Sequence, residues 1–305
     1  MRWPSLLAVF MVTCSAARAE DIHFLAEHLP EAAQDARYIA LPWTAGPLEA
    51  GRWDFTVQLG WTATSAGFLD LDGPMLGLGL RRAWSDRTGL LALGFADPMT
   101  VSGARGTEVL DLPFAPAELG LPQEAEFTQA RGTYRHWGVG AAWLRALGEE
   151  RRSTLGLGLL YDHLSIDGFT MDYRLLAGPA AGTTGVLDHS STAGYLTPFA
   201  QLVRTWNLGD RFVLAPRLAA AVPLPAGDFG ARLMGPGFDL TGEPGMIGDP
   251  VLGAGAGLLH TRSGLELDLG VTLAYPLVER VSHPGVDRAW TLQVAWHSSR
   301  QHDRK

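Results

Sequence analysis

The stretch Arg52–Thr62 constrains this chain more than any other. Trp53, Phe55, Val57, Leu59 and Trp61 fall on every second position, with Asp54, Thr56, Gln58, Gly60 and Thr62 between them. Successive side chains of a strand point to opposite faces, so this stretch forms a strand with one apolar face and one polar face. The apolar row begins and ends in tryptophan. A row packed into a soluble core favours Val, Ile and Leu, whereas tryptophan at both ends suits a strand crossing a bilayer. At ~3.3 Å per residue and a tilt near 45°, the distance from Trp53 to Trp61 covers roughly 19 Å of depth, approaching an apolar band ~25 Å tall.

The first residues read as an export signal. Arg2, the apolar run Leu6–Val12 and Ala17-Arg18-Ala19 ahead of Glu20 stand in the order of a secretory signal peptide, which predicts cleavage after Ala19 and removal of residues 1–19. The single cysteine, Cys14, lies inside that segment, so no thiol, disulfide or Cys-based metal site is expected in the exported chain. Acylation of Cys14 is the competing reading, and Val12-Thr13 fits it poorly because such a site prefers small residues. Acidic residues outnumber basic ones, 32 Asp+Glu against 24 Lys+Arg, which argues against nucleic acid as a partner. Beyond the signal no apolar run reaches the roughly 18 to 20 residues of a membrane-spanning helix. A chain of this kind crosses a membrane only as a closed barrel, in which every backbone group is paired.

Residues 20–50 differ in character from the remainder of the chain. Glu27–Tyr38 has helical composition, with Pro30 suited to a first turn. The segment is expected to be either a periplasmic tail or a plug in the barrel mouth, the tail being preferred. Ten alternating segments come next: Gly51–Ala63, Pro74–Trp84, Gly89–Ala96, Gly132–Ala146, Ser153–Ser165, Thr192–Asn207, Arg211–Leu224, Gly248–Thr261, Leu265–Tyr275 and Arg288–His297. The ninth is as regular as the first, with Leu265, Leu267, Leu269, Val271 and Leu273 opposite Glu266, Asp268, Gly270 and Thr272. The third is apolar on both faces, and the sixth, with Tyr195, Phe199 and Trp206, is blurred. Pro113–Phe127, inside the long loop Asp97–Arg131, is read as a candidate short helix, and Ser298–Lys305 as a polar tail.

Connections alternate between short ones, starting at Ser85, Gly148, Leu208 and Arg262, and long ones, starting at Thr64, Asp97, Ile166, Pro225 and Pro276. Short turns at one end, long loops at the other and an even strand number describe a bacterial outer-membrane barrel. The predicted fold is all-β: one antiparallel transmembrane barrel over residues 51–297 with about ten strands, twelve being the alternative count. A soluble sandwich explains the alternation but not the tryptophan-bounded rows. In this pattern Gly51–His297 resembles the outer-membrane β-barrel proteins of Gram-negative bacteria. The resemblance implies an outer-membrane location, contact with its lipid and recognition by the assembly machinery, which reads an aromatic residue near the C-terminus. Trp296 is the best match, although nine residues come after it.

With the apolar rows facing lipid, Trp53, Trp61, Trp137, Trp143, Trp290 and Trp296 form the aromatic girdles. The opposite faces then line the lumen with Asp54, Gln58, Arg81, Asp162, Arg217, Glu266, Asp268 and Gln293. Arg217 is expected to pair with Glu266 or Asp268. Glycines at 77, 79, 138, 140, 156, 158, 253, 255 and 257 remove side-chain volume and are read as space within the lumen. The first functional reading is a narrow channel or transporter for small solutes, hydrophobic ones among the candidates; its logic resembles that of transporters of hydrophobic compounds whose N-terminal segment acts as a hatch. The second is a closed structural or adhesive barrel acting through its long loops. The third is an outer-rim hydrolase. Asp70-Leu71-Asp72 resembles half of the Asp-x-Asp and Asp-x-His site of the omptin proteases, but the only Asp-x-His is Asp21-Ile22-His23 near the mature N-terminus. Asp188-His189-Ser190 gathers triad residue types in one run, which a polar loop produces by chance. No catalytic role, metal site or cofactor is therefore assigned.

Overall fold

The computed structural model describes residues 48–66, 69–104, 107–110, 123–176, 181–227, 230–235, 238–242, 250–274 and 287–301. Ten principal strands run through them: β1 (Arg52–Ala66), β2 (Leu69–Ala83), β3 (Thr88–Ala104), β4 (Gln123–Leu147), β5 (Ser153–Leu175), β6 (Thr184–Arg204), β7 (Phe212–Ala221), β8 (Val251–His260), β9 (Leu265–Ala274) and β10 (Asp287–Gln301). Each pairs antiparallel with its sequence neighbours. β10 returns to pair with β1 from Arg52↔Gln301 to Ser65↔Arg288, closing the barrel. Residues 1–19, residues 20–47 including Glu27–Tyr38, and residues 302–305 lie outside the described residues.

The two faces of the wall differ in kind. Outward rows are apolar and open to the surroundings, with Leu59 at 63% exposure, Trp290 at 57% and Leu269 at 55%, whereas inward Asp268, Thr62 and Asp97 are at 0%. In water a continuous exposed apolar surface of this extent invites association. Around a closed barrel, between levels of tryptophan, it is the lipid-facing surface of a transmembrane barrel. Four tight connections, 84–87, 148–152, 205–211 and 261–264, share one end with Leu48 and Gln301. In bacterial outer-membrane barrels the short turns and both termini stand at the periplasmic end, and the corresponding end here is given that name.

Several strands run further than the alternation suggests. The connection expected at Thr64–Gly73 shrinks to residues 67–68, because β1 and β2 stay paired up to Ala66↔Leu69. β4, β5 and β6 rise 21 to 25 residues, and two short strands, Gly230–Gly235 and Phe238–Gly242, continue the sheet beyond β6. Gln123–Phe127, expected within a short helix, begins β4, and 111–122 lie outside the described residues. The tail from Ser298 to Gln301 belongs to β10. Hydrophobic alternation marks only the depth that touches lipid, whereas backbone pairing carries a strand beyond it. On β5 a bulge also breaks the parity: Ile166 and Phe169 both face inward, with Gly168 between them at φ +61°. On β6 the blurring has another cause, since Tyr195 and Phe199 turn inward while Trp206, beyond the strand, turns outward.

Candidate functional site

The inward-facing residues are unevenly distributed around the barrel. β3, β4 and β5 contribute Leu91, Leu93, Phe95, Ala142, Leu144, Leu160 and Leu164, whereas β9, β10 and β1 contribute Glu266, Asp268, Thr272, Thr291, Gln293, Thr56 and Gln58. Over these positions one side of the interior is apolar and the other polar, while toward the outer end β3, β4 and β5 also turn Asp97, His136 and Asp162 inward. All eight expected lining residues, Asp54, Gln58, Arg81, Asp162, Arg217, Glu266, Asp268 and Gln293, are inward and buried.

Charged residues gather into three groups. Near the periplasmic end Arg81 Nε donates to Asp54 Oδ2 at 2.8 Å, Arg52 Nε donates to Asp54 Oδ1 at 2.7 Å, and Arg52 also reaches Glu49 at 3.1 Å. On the polar side Arg217 makes a two-pronged contact with Asp268. Beside it Glu266 lies 2.5 Å from His297 Nε2, and His297 Nδ1 is 2.9 Å from Thr56 Oγ1. Toward the outer end His136 stands between two carboxylates, with Nε2 3.0 Å from Asp162 and Nδ1 3.5 Å from Asp97, while Thr197 donates to Asp162 at 3.3 Å. Alternation alone leaves Asp97 in a loop and His136 solitary. Continuing the inward parity of Leu91, Leu93 and Phe95 by one step reaches Asp97, which is the signal that brings it in.

These contacts share one geometry: each stays at one strand or joins strands that are neighbours or next neighbours, so the charges lie along the wall. Arg217 on β7 and Asp268 on β9 meet across β8, and glycine makes the passage available. A Cβ on Gly255 would stand 3.0 Å from Arg217 Nε, and one on Gly257 would collide with Glu266. Gln58 Oε1 lies 2.7 Å from where a Cβ of Gly77 would be, and Phe95 Cε1 2.5 Å from that of Gly138. A Cβ on Gly158 would strike Phe199. This corrects the reading of the glycines at 77, 138, 158, 255 and 257 as space: they seat the side chains of the adjoining strands. The described interior contains a small cleft lined by Thr56, Gln58, Gly77, Gly79, Leu91 and Leu93. At the periplasmic mouth Leu48 is buried against the cluster containing Ala83, Leu91, Leu144 and Ala146.

The candidate rim groups do not converge. Leu71 and Leu187 face inward, so Asp70, Asp72 and Asp188 belong to outward faces of β2 and β6, four strands apart. The side chain of His189 lies outside the described residues. Among the described residues no group of three or more His, Cys, Asp or Glu is arranged to hold a metal ion.

No protein-family model matches the sequence, and no curated protein matches it. Among solved structures the barrel is similar to the outer membrane protease OmpT from Escherichia coli, at 9% identity and TM-score 0.38 over 82% of this chain and 96% of that one. It is similar to Ail, the attachment invasion locus protein of Yersinia pestis, at 12% identity and TM-score 0.31 over 82% and 99%. It is also similar to the toluene transporter TodX of Pseudomonas putida, at 11% identity and TM-score 0.35 over 81% and 88%. The three names differ in activity, so the likeness extends to the build alone. By its own closure, its apolar exterior and the charges buried inside it, the chain is a ten-strand antiparallel transmembrane β-barrel.

Proposed function

We propose that the barrel is a narrow conduit for small solutes that carry an apolar body and a polar group, and that this form is its closed state. One observation carries this reading. The amides of Gln201 on β6 and Gln293 on β10 face inward, are 2% and 1% exposed, and have no hydrogen-bond partner on either nitrogen or oxygen among the described residues. Buried amides are rarely left unsatisfied, because each costs about 1–3 kcal/mol. A polar solute or a file of water along the lumen supplies what they lack. Opening such a path breaks no ion pair, since the pairs run along the wall. The apolar side from Leu91 to Leu160 would meet the solute's hydrocarbon part.

The second reading, a closed scaffold, is favoured by the glycine-seated packing. Planar-bilayer recordings separate the two. The full chain is expected to show rare, small openings, and a variant lacking residues 20–48, which removes the Leu48 contact at the mouth, a markedly higher open probability. Silence of both forms, with the barrel folded by its heat-dependent gel mobility, would overturn the conduit and leave the scaffold.

A further inference from the structure

The periplasmic edge of the lipid-facing surface carries a repeated arrangement that no route through the lumen uses. Strands descending to that edge end in an outward basic side chain lying on an aromatic ring. Arg82 of β2 lies over Trp53 of β1, 4.8 Å from the ring centroid, and Trp84 stands two positions further on. Arg145 of β4 lies 5.9 Å from the Trp143 ring, and Arg204 of β6 lies 5.5 Å from the Trp206 ring. β8 repeats the theme in weaker form, with His260 5.2 Å from Phe212.

None of these three arginines has a carboxylate partner among the described residues, and all three are exposed. At the opposite end two outward arginines are paired, Arg131 with Asp172 at 3.3 Å and Arg135 with Asp167 at 3.6 Å, and Arg288 there has no ring contact among the described residues. The arginines seated on aromatic rings thus gather at one level, directly below the apolar rows containing Leu80, Trp143 and Leu202. We propose that Arg82, Arg145 and Arg204 form a belt that binds the phosphate headgroups of anionic phospholipids in the periplasmic leaflet. A guanidinium held over an indole keeps N–H groups free for a phosphate, while its stem lies on apolar surface. A lipid meets both halves of the arrangement at once, headgroup on the arginine and acyl chains along the leucine rows, which inorganic phosphate cannot do.

The test is spin-label lipid association in phosphatidylcholine bilayers, comparing phosphatidylglycerol with phosphatidylcholine as the labelled lipid. The wild-type barrel is expected to favour phosphatidylglycerol by roughly 3- to 5-fold at low salt, in keeping with the attraction of surface arginines to anionic leaflets, and less at high salt. The combined variant Arg82→Gln, Arg145→Gln, Arg204→Gln should bring the ratio to about one, whereas the corresponding lysine variant keeps a preference. Arg135→Gln with Arg288→Gln, at the outer end, should leave the ratio as in wild type. The proposal is overturned by a wild-type ratio near one, by a glutamine triple variant that keeps the preference, or by loss of preference in the outer-end variant alone. Inorganic phosphate that abolishes the preference while sodium chloride of equal ionic strength does not would overturn the lipid assignment. Measurements are confined to protein with the mobility of the folded barrel, so failed folding cannot pass for lost binding.

Discussion

Arg217→Met is expected to destabilise the barrel by about 3–5 kcal/mol, the usual cost of removing one partner of a buried ion pair. Urea unfolding in lipid vesicles, followed by tryptophan fluorescence, measures it. The physical reason lies in what remains behind. Asp268 is at 0% exposure and Arg217 holds both of its oxygens, so methionine leaves a carboxylate in a site that water does not reach. Glu266, on the same inward face of β9, makes an unpaired charge there costlier still. The double variant Arg217→Met, Asp268→Leu should recover most of the loss, because exchanging a whole buried pair for apolar side chains is often nearly neutral. Equal destabilisation in the single and double variants would show that the pair's shape rather than its charge matters, and would remove the wall network as a source of stability.

Phe95→Ala is the second large effect, expected to cost about 3–5 kcal/mol as a buried phenyl group is lost. The ring is 7% exposed, stands edge-on to His136 with centroids 4.9 Å apart, and rests over Gly138. Its partner variant gives the sharper result. Were Gly138 mere space, Gly138→Ala would gain stability, since glycine inside a strand is worth roughly 0.5–1 kcal/mol less than alanine. Because the new methyl group would stand 2.5 Å from Phe95 Cε1 and 3.1 Å from the Tyr161 carbonyl oxygen, the expected change is instead a loss of about 1–3 kcal/mol. In the Phe95→Ala background the same substitution should cost much less, and this non-additivity is the signature of a ring seated on a glycine. Additive behaviour would contradict it.

The two variants bear on function as well as stability. Arg217 and Phe95 stand on the polar and apolar sides of the interior, and neither contact crosses the lumen. On the conduit proposed above, a barrel stiffened along its wall would open by moving side chains in the middle while its charged pairs stay intact. The unsatisfied amides of Gln201 and Gln293 mark where a solute would find polar contact on the way.

Inward and outward parity was legible in Arg52–Thr62 and Leu265–Ala274, because hydrocarbon imposes one uniform demand on every outward position and tryptophan marks where that demand ends. The chain by itself therefore determined the closed antiparallel barrel and which face of each regular strand meets lipid. It did not determine how far the strands climb past the membrane, since beyond lipid the pattern inverts, with apolar Leu71, Ile166, Met171 and Leu187 inward and polar residues outward, and an apolar outer row no longer marks the strand. Nor did it disclose Asp97 beside His136, or that Gly255 is the gap through which Arg217 reaches Asp268. Those meetings depend on which residues of neighbouring strands stand level with one another. Register of that kind is decided only when the sheet closes, because glycine and charge on separate strands leave no shared trace along the sequence.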